Sequence, residues 1–454
     1  MNTLATLAFA DRPPIWSVLP FAAYLLVIAV VPLFLPHFWE KNRNKLVVAL
    51  AAALPAAAYL LTSHGGHLLL DSLKEYVAFI VLLAALFVIS GGVYLKGSMA
   101  GTPMVNTMFL GVGAVLASFI GTTGASMLLI RPLLRANEKR LKKTQIVIFF
   151  IFIVSNGGGM LTPLGDPPLF LGFLRGVPFL WTLQLWAPWA LVNGILLVIF
   201  NFLDQAVFNK EERERPGSQL EEVQQVAEPL RIHGGLNFLW LLGVIAINSG
   251  VGYFGKRNGW GDDVQKLAIV AGMAAMAGLS LATTSKEIRG SNKFTWGPII
   301  EVAVIFIGIF VTMVPATLLL EELGKSGAIK MTHAWEFFWG SGALSSFLDN
   351  APTYVTFASL ACGVVGGQAG QTIDPSNLAQ LLHYPQGVLF LKAVSCGSVF
   401  MGANTYIGNG PNFMVKAIAE ENQVKMPSFF GYMGWSIAVL IPLFVVVTLL
   451  FFRG

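Results

Sequence analysis

The chain has 454 residues, of which 55% are hydrophobic and 12% charged. A soluble domain carries about 25% charged residues, so this composition excludes an ordinary soluble enzyme or binding module. The formal net charge of +5 does not point to nucleic acid, because no basic run is interleaved with aromatics. The basic residues report membrane topology instead.

The N-terminal stretch Met1 to Pro20 lacks the basic leader and small-residue cleavage site of a signal peptide, so the first apolar segment reads as a retained helix. Apolar runs of roughly 18 residues or more read as membrane spans. Ten segments qualify: 15–36, 46–63, 76–95, 145–172, 180–206, 235–254, 264–284, 297–320, 386–415 and 429–451. Two further apolar stretches, 103–134 and 331–361, are interrupted at their middles, by Gly121-Thr122-Thr123-Gly124 and by Asp349-Asn350-Ala351-Pro352. These read as re-entrant hairpins, because non-helical backbone at membrane depth is tolerated only where protein or a water-filled cavity satisfies it. The charged stretch 208–234, at the chain's midpoint, reads as a solvated cytoplasmic linker. Cys362 and Cys396 fall in or beside apolar segments and read as packing residues, not a disulfide framework. His64 and His67 have no paired Cys or carboxylate at ligand spacing, which argues against a metal site there.

Lys and Arg in the loops orient the chain. Loop 131–143 holds Arg131, Arg135, Lys139, Arg140, Lys142 and Lys143, which places it in the cytoplasm. Threading outward puts 37–45, 208–234, 286–293 and 416–428 on the same side, and 362–385, which has no Lys or Arg, on the other. Both termini then lie outside, and the two hairpins enter from opposite faces.

An internal repeat follows from two pairs of matching segments. Ser118-Phe119-Ile120 matches Ser346-Phe347-Leu348, and Thr162-Pro163-Leu164-Gly165-Asp166-Pro167-Pro168 matches Thr405-Tyr406-Ile407-Gly408-Asn409-Gly410-Pro411. Because five spans separate equivalent points, the second copy is inverted. The expected fold is an all-α polytopic membrane protein. It has two inverted repeats, 1–207 and 235–454, each of five transmembrane helices plus one re-entrant hairpin, joined by 208–234. Discontinuous helices lie at the transport site.

Interrupted helices at matching positions of inverted halves point to a transporter site. Span 145–172 breaks at Ser155-Asn156-Gly157-Gly158-Gly159 and at Pro163 to Pro168; span 386–415 breaks at Gly402-Ala403-Asn404-Thr405 and around Gly408 to Pro411. Freed carbonyls can coordinate a cation, and half-helix N-termini can face an anion. A carboxylate at membrane depth is costly and marks an ion or proton pathway, which singles out Asp166 and Asp349. Oxygen donors suit a hard cation such as Na⁺. A carboxylate shielded from water favours its neutral form, so a proton and a cation can compete for one group. Asp166, Asp349, Asn350 and Asn409 are the expected ion- and proton-binding residues. Thr122, Thr123, Asn156, Gly157, Thr162, Gly165, Thr353, Asn404, Thr405 and Gly408 are expected to coordinate substrate or ion. A carboxylate can instead simply cap a half-helix, and that reading of either aspartate stays open. Glu301 and Asp204 read as interfacial, and Lys392 as either a counter-ion or a snorkelling residue.

The stretch Ala117 to Ser126, then Thr162 to Pro168, then Asp349-Asn350-Ala351-Pro352-Thr353 resembles the ion transporter superfamily. It is similar to bacterial NhaD-type sodium:proton antiporters and to citrate transporters of the CitMHS group. The resemblance covers nearly the whole chain. It implies a homodimer in the bacterial inner membrane, elevator-like alternating access, and no cofactor beyond transported Na⁺ and H⁺. In the sodium-coupled dicarboxylate branch, Ser-Asn-Thr motifs at the hairpin tips bind sodium and substrate; here the tips read Gly-Thr-Thr-Gly and Asp-Asn-Ala-Pro. The expected partners are the lipid bilayer and small ions or a small carboxylate, with no nucleic acid. The acidic side chains favour a Na⁺/H⁺ antiporter as first reading, and an H⁺- or cation-coupled citrate or dicarboxylate transporter as the alternative. An intramembrane aspartyl protease would also use two aspartates, but Leu164-Gly165-Asp166 lacks the extra glycine of that motif. A passive channel is the remaining competitor.

Overall fold

The computed structural model describes residues 13–39, 41–63, 65–97, 100–218, 231–292 and 294–453. The first half runs α1 (Leu19–Phe34), α2 (Asn42–Thr62), α3 (Gly66–Ser90), strand β1 (Tyr94–Lys96), α4 (Pro103–Ile120), α5 (Thr122–Ala136), α6 (Thr144–Ile153), α7 (Pro167–Leu174) and α8 (Trp186–Glu214). After strand β2 (Arg231–His233) come α9 (Leu236–Arg257), α10 (Asp262–Thr283), the short α11 (Lys286–Ser291), α12 (Gly297–Lys325), α13 (Ala334–Ser345), α14 (Asn350–Ala369), α15 (Pro385–Met401), α16 (Gly410–Glu421) and α17 (Phe429–Phe451). Among the described residues, nine helices are long and apolar enough to cross a membrane. The protein is an all-α polytopic membrane protein; among the described residues its strands form a single two-stranded antiparallel ribbon, β1–β2, three residues long.

The breaks fall where backbone chemistry demands them. Proline opens α4, α7 and α15, at a position whose N–H has no helical partner. Three glycines interrupt the chain after α6, which gives way to a single 3₁₀ turn at Gly157–Met160. Segment 145–172, expected as one span, is cut into α6, the 3₁₀ turn and α7. Segment 235–254 corresponds to the continuous helix α9 (Leu236–Arg257). Conversely, Pro103–Ile120, the first arm of the interrupted stretch, is itself long enough to span. The expected start at 76 is also too late, because α3 begins at Gly66.

The segment 208–234 differs from a simple solvated linker. Helix α8 continues to Glu214, and Arg231–His233 pairs with Tyr94–Lys96. Residues 219–230 lie outside the described residues, as do Met1–Arg12 and His64.

Packing cannot rely on the hydrophobic effect between helices in lipid, so close backbone approach matters. Helices α12 and α14 illustrate it. A Cβ on Gly324 would lie 2.8 Å from the Leu360 carbonyl oxygen, and one on Gly367 would lie 2.6 Å from that of Lys325. Helix α6 is buried on every face from Gln145 to Ile153, as its uniform apolarity requires. It sits at the centre, between α4, α8 and α16.

Polar contacts sort the loops into two sets. In one, Arg135 donates to Leu95 O at 3.0 Å, Arg140 to Gly101 O at 3.3 Å, Asn292 to Val93 O at 2.7 Å, and Thr144 to Lys425 O at 2.9 Å. In the other, Lys74 pairs with Asp263 at 2.9 Å, Lys325 donates to Thr372 at 3.0 Å, Gln386 donates to Thr332 O at 3.3 Å, and Tyr384 donates to Gln371 at 2.7 Å. The first set holds the loops expected inside, and the second the loops expected outside. Asp204, read as interfacial, is instead completely buried. It accepts both Nη atoms of Arg140 at 2.8 Å, with Asn106 and Gln145 at 3.0 and 2.9 Å. Glu301 is the partner of the buried Lys45 at 2.6 Å. Cys362 and Cys396 are free and buried.

Candidate functional site

The first interrupted segment turns at Gly121. Its φ of +80° is a conformation that only glycine adopts without strain, and α5 begins at the next residue. The backbone N–H of Thr122 donates to Gly165 O at 2.8 Å, which ties this tip to the break before α7. Ser118 donates to Gly158 O at 2.5 Å, and the Thr162 hydroxyl donates to Ser118 O. A Cβ on Gly165 would collide with the Gly159 carbonyl, so both positions must be bare for the two strands of the break to meet.

The second half has counterparts to the serine, threonine and glycine contacts. Ser346 donates to Met401 O at 3.2 Å, and Thr405 to Ser346 O at 2.5 Å. A Cβ on Gly408 would lie 2.5 Å from the Gly402 carbonyl oxygen. Asp166 and Asn409 share an extended backbone, with φ of −141° and −149°, and each is the N-cap of its following helix. The halves differ at the tips. Asp349 has φ −58°, so no glycine is required, and a carboxylate occupies the place held by Gly121.

All four elements converge on Asp166, which is 1% exposed. Its Oδ1 accepts the Thr122 hydroxyl at 3.0 Å and Asn409 Nδ2 at 3.4 Å, and its Oδ2 accepts Asn350 Nδ2 at 2.8 Å. Thr122 and Asn350 open α5 and α14; Asp166 and Asn409 cap α7 and α16. Four helix N-termini therefore meet at one carboxylate. Each carries roughly half a positive charge in the macrodipole description. Asn409 also reaches Asn156 Oδ1 at 3.1 Å, Asn156 donates to Asn412 Oδ1 at 2.7 Å, and Asn412 donates to Gly402 O at 2.8 Å and Thr405 O at 2.9 Å. This amide chain crosses between the halves.

Asp349 caps α14 through its Oδ1, which accepts Ala351 N–H at 3.1 Å. It directly precedes Asn350, which donates to Asp166, but the two carboxylates share no hydrogen bond, so the geometry of an acid dyad is missing. The Thr353 hydroxyl donates to Asp349 O at 3.1 Å.

Several expected donors are committed to structure. The hydroxyls of Thr162 and Thr405 hold the tips, Gly165 O is taken by Thr122, and Gly157 O accepts Asn193 Nδ2 at 3.1 Å. Asn404 donates to Ser346 Oγ at 2.9 Å, while its Oδ1 is buried without a partner among the described residues. The Thr123 hydroxyl makes no hydrogen bond among the described residues, and only one oxygen of Asp349 is engaged. Asp349 Oδ2, Thr123 Oγ1, Asn404 Oδ1 and Asn409 Oδ1 thus accept no hydrogen bond among the described residues. No hydrogen bond or ion pair joins Lys392 to either aspartate. Among the described residues, no group of three or more His, Cys, Asp or Glu comes together as a metal centre.

Sequence reasoning missed Ser118, Ser346 and Asn412 as working parts of the site. Ser118 and Ser346 were visible as matched positions of the repeat. Asn412 lies three residues after Asn409, one helical turn into α16, so its inward direction follows from helical spacing.

Residues 10–452 match the CitMHS_2 family, described as "Putative citrate transport". The chain belongs to this family. No curated protein matches it. Membership covers both interrupted segments and both breaks, so the Asp166 cluster lies within the family's shared length. It makes the chain a member of a transport family and ranks citrate above the Na⁺/H⁺ antiport that the acidic residues first suggested.

Proposed function

We propose that this protein is a secondary transporter for citrate or a related small carboxylate, coupled to H⁺ or a cation. The observation that carries the reading is the meeting of four helix N-termini around Asp166. Helix N-termini bind carboxylates. Four of them supply about two positive charges, which the Asp166 and Asp349 carboxylates offset when ionised. A substrate anion then enters an electrically balanced site, and a proton or cation must accompany it. Asp166 and Asp349 are the groups that take up that charge. Asp349 Oδ2, Thr123 and Asn404 supply further oxygens, and Thr122, Asn350 and Asn409 orient Asp166. Asn156, Gly157, Thr162, Gly165, Thr353, Thr405 and Gly408 shape the backbone around them.

We further propose two inverted repeats, 1–207 and 235–454. Paired contacts support them: Ser118 with Gly158 and Ser346 with Met401, Thr162 with Ser118 and Thr405 with Ser346. The two loop sets support re-entrant hairpins on opposite faces, since Arg140 near the exit of the first contacts Gly101 at its entry. The excess of basic residues on the first set supports a cytoplasmic position for it, with both termini outside. A homodimer in a bacterial inner membrane and elevator-type movement complete the proposal.

The test is thermal unfolding of the purified protein. Citrate at rising concentration raises the melting temperature as binding linkage requires, while chloride at equal ionic strength does not. Absence of any citrate-specific shift contradicts the reading. Na⁺/H⁺ antiport is the second reading, favoured by two carboxylates on adjoining elements, Asp166 and Asp349, the latter beside the Asn350 that donates to Asp166. Na⁺-dependent proton movement in everted vesicles without citrate would select it.

A further inference from the structure

Arg175 and Glu75 lie outside the Asp166 cluster, yet they are joined to it through α7. That helix has eight residues; its N-cap is Asp166 and its C-cap is Arg175. At 1.5 Å rise per residue it is a rod about 12 Å long, so holding one end sets the position of the other. The Arg175 guanidinium crosses to α3, with Nη2 at 2.9 Å and Nε at 3.3 Å from Glu75 Oε2. Its Nη1 donates to Pro375 O at 3.3 Å, and its own carbonyl accepts Leu378 N–H at 2.7 Å. The two side chains are 9% and 7% exposed. Helix α3 packs mainly on α10 and α12 and touches α5 and α7, but it supplies no residue to the Asp166 cluster.

A buried ion pair is costly to assemble and strongly directional once formed. The planar fork of arginine fixes direction as well as distance. Here it bridges the helix that carries the central carboxylate and a helix that does not.

We propose that Arg175 is a positioning residue for Asp166: its pair with Glu75 fixes α7 and thereby sets the affinity of the site for the coupling ion. This inference rests on the reading that Asp166 takes up the coupling charge. The fork adds a directional hold at the C-terminal end of α7, whose apolar side chains are otherwise held by packing on α14.

The experiment measures citrate uptake into proteoliposomes as a function of external Na⁺ and of pH. It compares the wild type, Glu75→Gln, Arg175→Lys and the exchange Glu75→Arg with Arg175→Glu. Glu75→Gln is expected to raise the half-saturating Na⁺ concentration, or to move the pH midpoint, because it leaves the buried Arg175 without its charged partner. Arg175→Lys keeps the charge but loses the fork, so it is the variant expected to fold best and to show a smaller shift. The exchange recovers part of the ion affinity, because it restores the pair but not the bond to Pro375. Unchanged ion dependence with only a lower maximal rate in both single variants overturns the positioning role. A wild type whose citrate uptake ignores both Na⁺ and pH overturns it differently, by removing the coupling role of Asp166 on which it rests.

Discussion

Replacing Asp166 by asparagine separates the charge of the site from its shape. The amide keeps one oxygen, and the less costly orientation keeps it on Asn350 Nδ2, the 2.8 Å contact. The new NH₂ then faces Thr122, whose hydroxyl can turn to accept, and Asn409, whose contact is the longest at 3.4 Å. Only that last contact becomes donor against donor, at a cost of about 1–3 kcal/mol for an unmade buried bond. The fold survives this. The ion does not tolerate it equally: a cation about 4 Å from the lost charge forfeits about 4 kcal/mol at an effective dielectric of about 20. That is roughly three decades of ion affinity at 1.36 kcal/mol per decade. The assay is paired, with gradient-driven accumulation and citrate–citrate counterflow measured in the same proteoliposomes. Asp166→Asn should lose accumulation and keep counterflow, because the helix N-termini remain. Accumulation with wild-type ion dependence would refute the reasoning.

Other outcomes follow from the same geometry. Asn350→Ala and Asn409→Ala each remove one donor from Asp166; the first should weaken ion-driven uptake more, because its bond is shorter, and steady-state uptake against Na⁺ and pH checks the order. Gly165→Ala and Gly408→Ala place a Cβ against the carbonyls of Gly159 and Gly402 and should abolish uptake, whereas Gly410→Ala, with open space around it, should be nearly neutral. Arg140→Gln breaks the buried pair with Asp204 and should cost about 3–5 kcal/mol of stability, read as a lower melting temperature in detergent. Gly121→Ala forces a Cβ into positive φ and should cost about 1–2 kcal/mol, with reduced uptake at elevated temperature.

Much of the site was legible because membrane chemistry makes polar residues conspicuous. Asp166, Asn350 and Asn409 stood out from apolar surroundings, and the structure brings both amides within hydrogen-bond reach of Asp166. The repeat pattern located the breaks for the same reason, since glycine and proline interrupt helices wherever they cluster. Helix ends were less legible: α3 extends ten residues before its expected start, because Gly66 to Glu75 mixes charge with apolar residues and escapes a hydropathy reading. Asp204 and Arg175 were misjudged or overlooked because their partners are remote in sequence. Arg140 and Glu75 lie 64 and 100 residues away, and no local pattern reports such pairing. The asymmetry of the tips was visible as Gly121 against Asp349, but its cause was not. Positive φ at one tip and ordinary φ at the other become visible only in three dimensions.

The most direct test is uptake of radiolabelled citrate by the purified protein in proteoliposomes, under imposed Na⁺ and pH gradients applied separately and together. Concentrative citrate uptake driven by at least one gradient, and absent without any, is the predicted result. Cation-driven proton flux with no citrate movement under any gradient would contradict it.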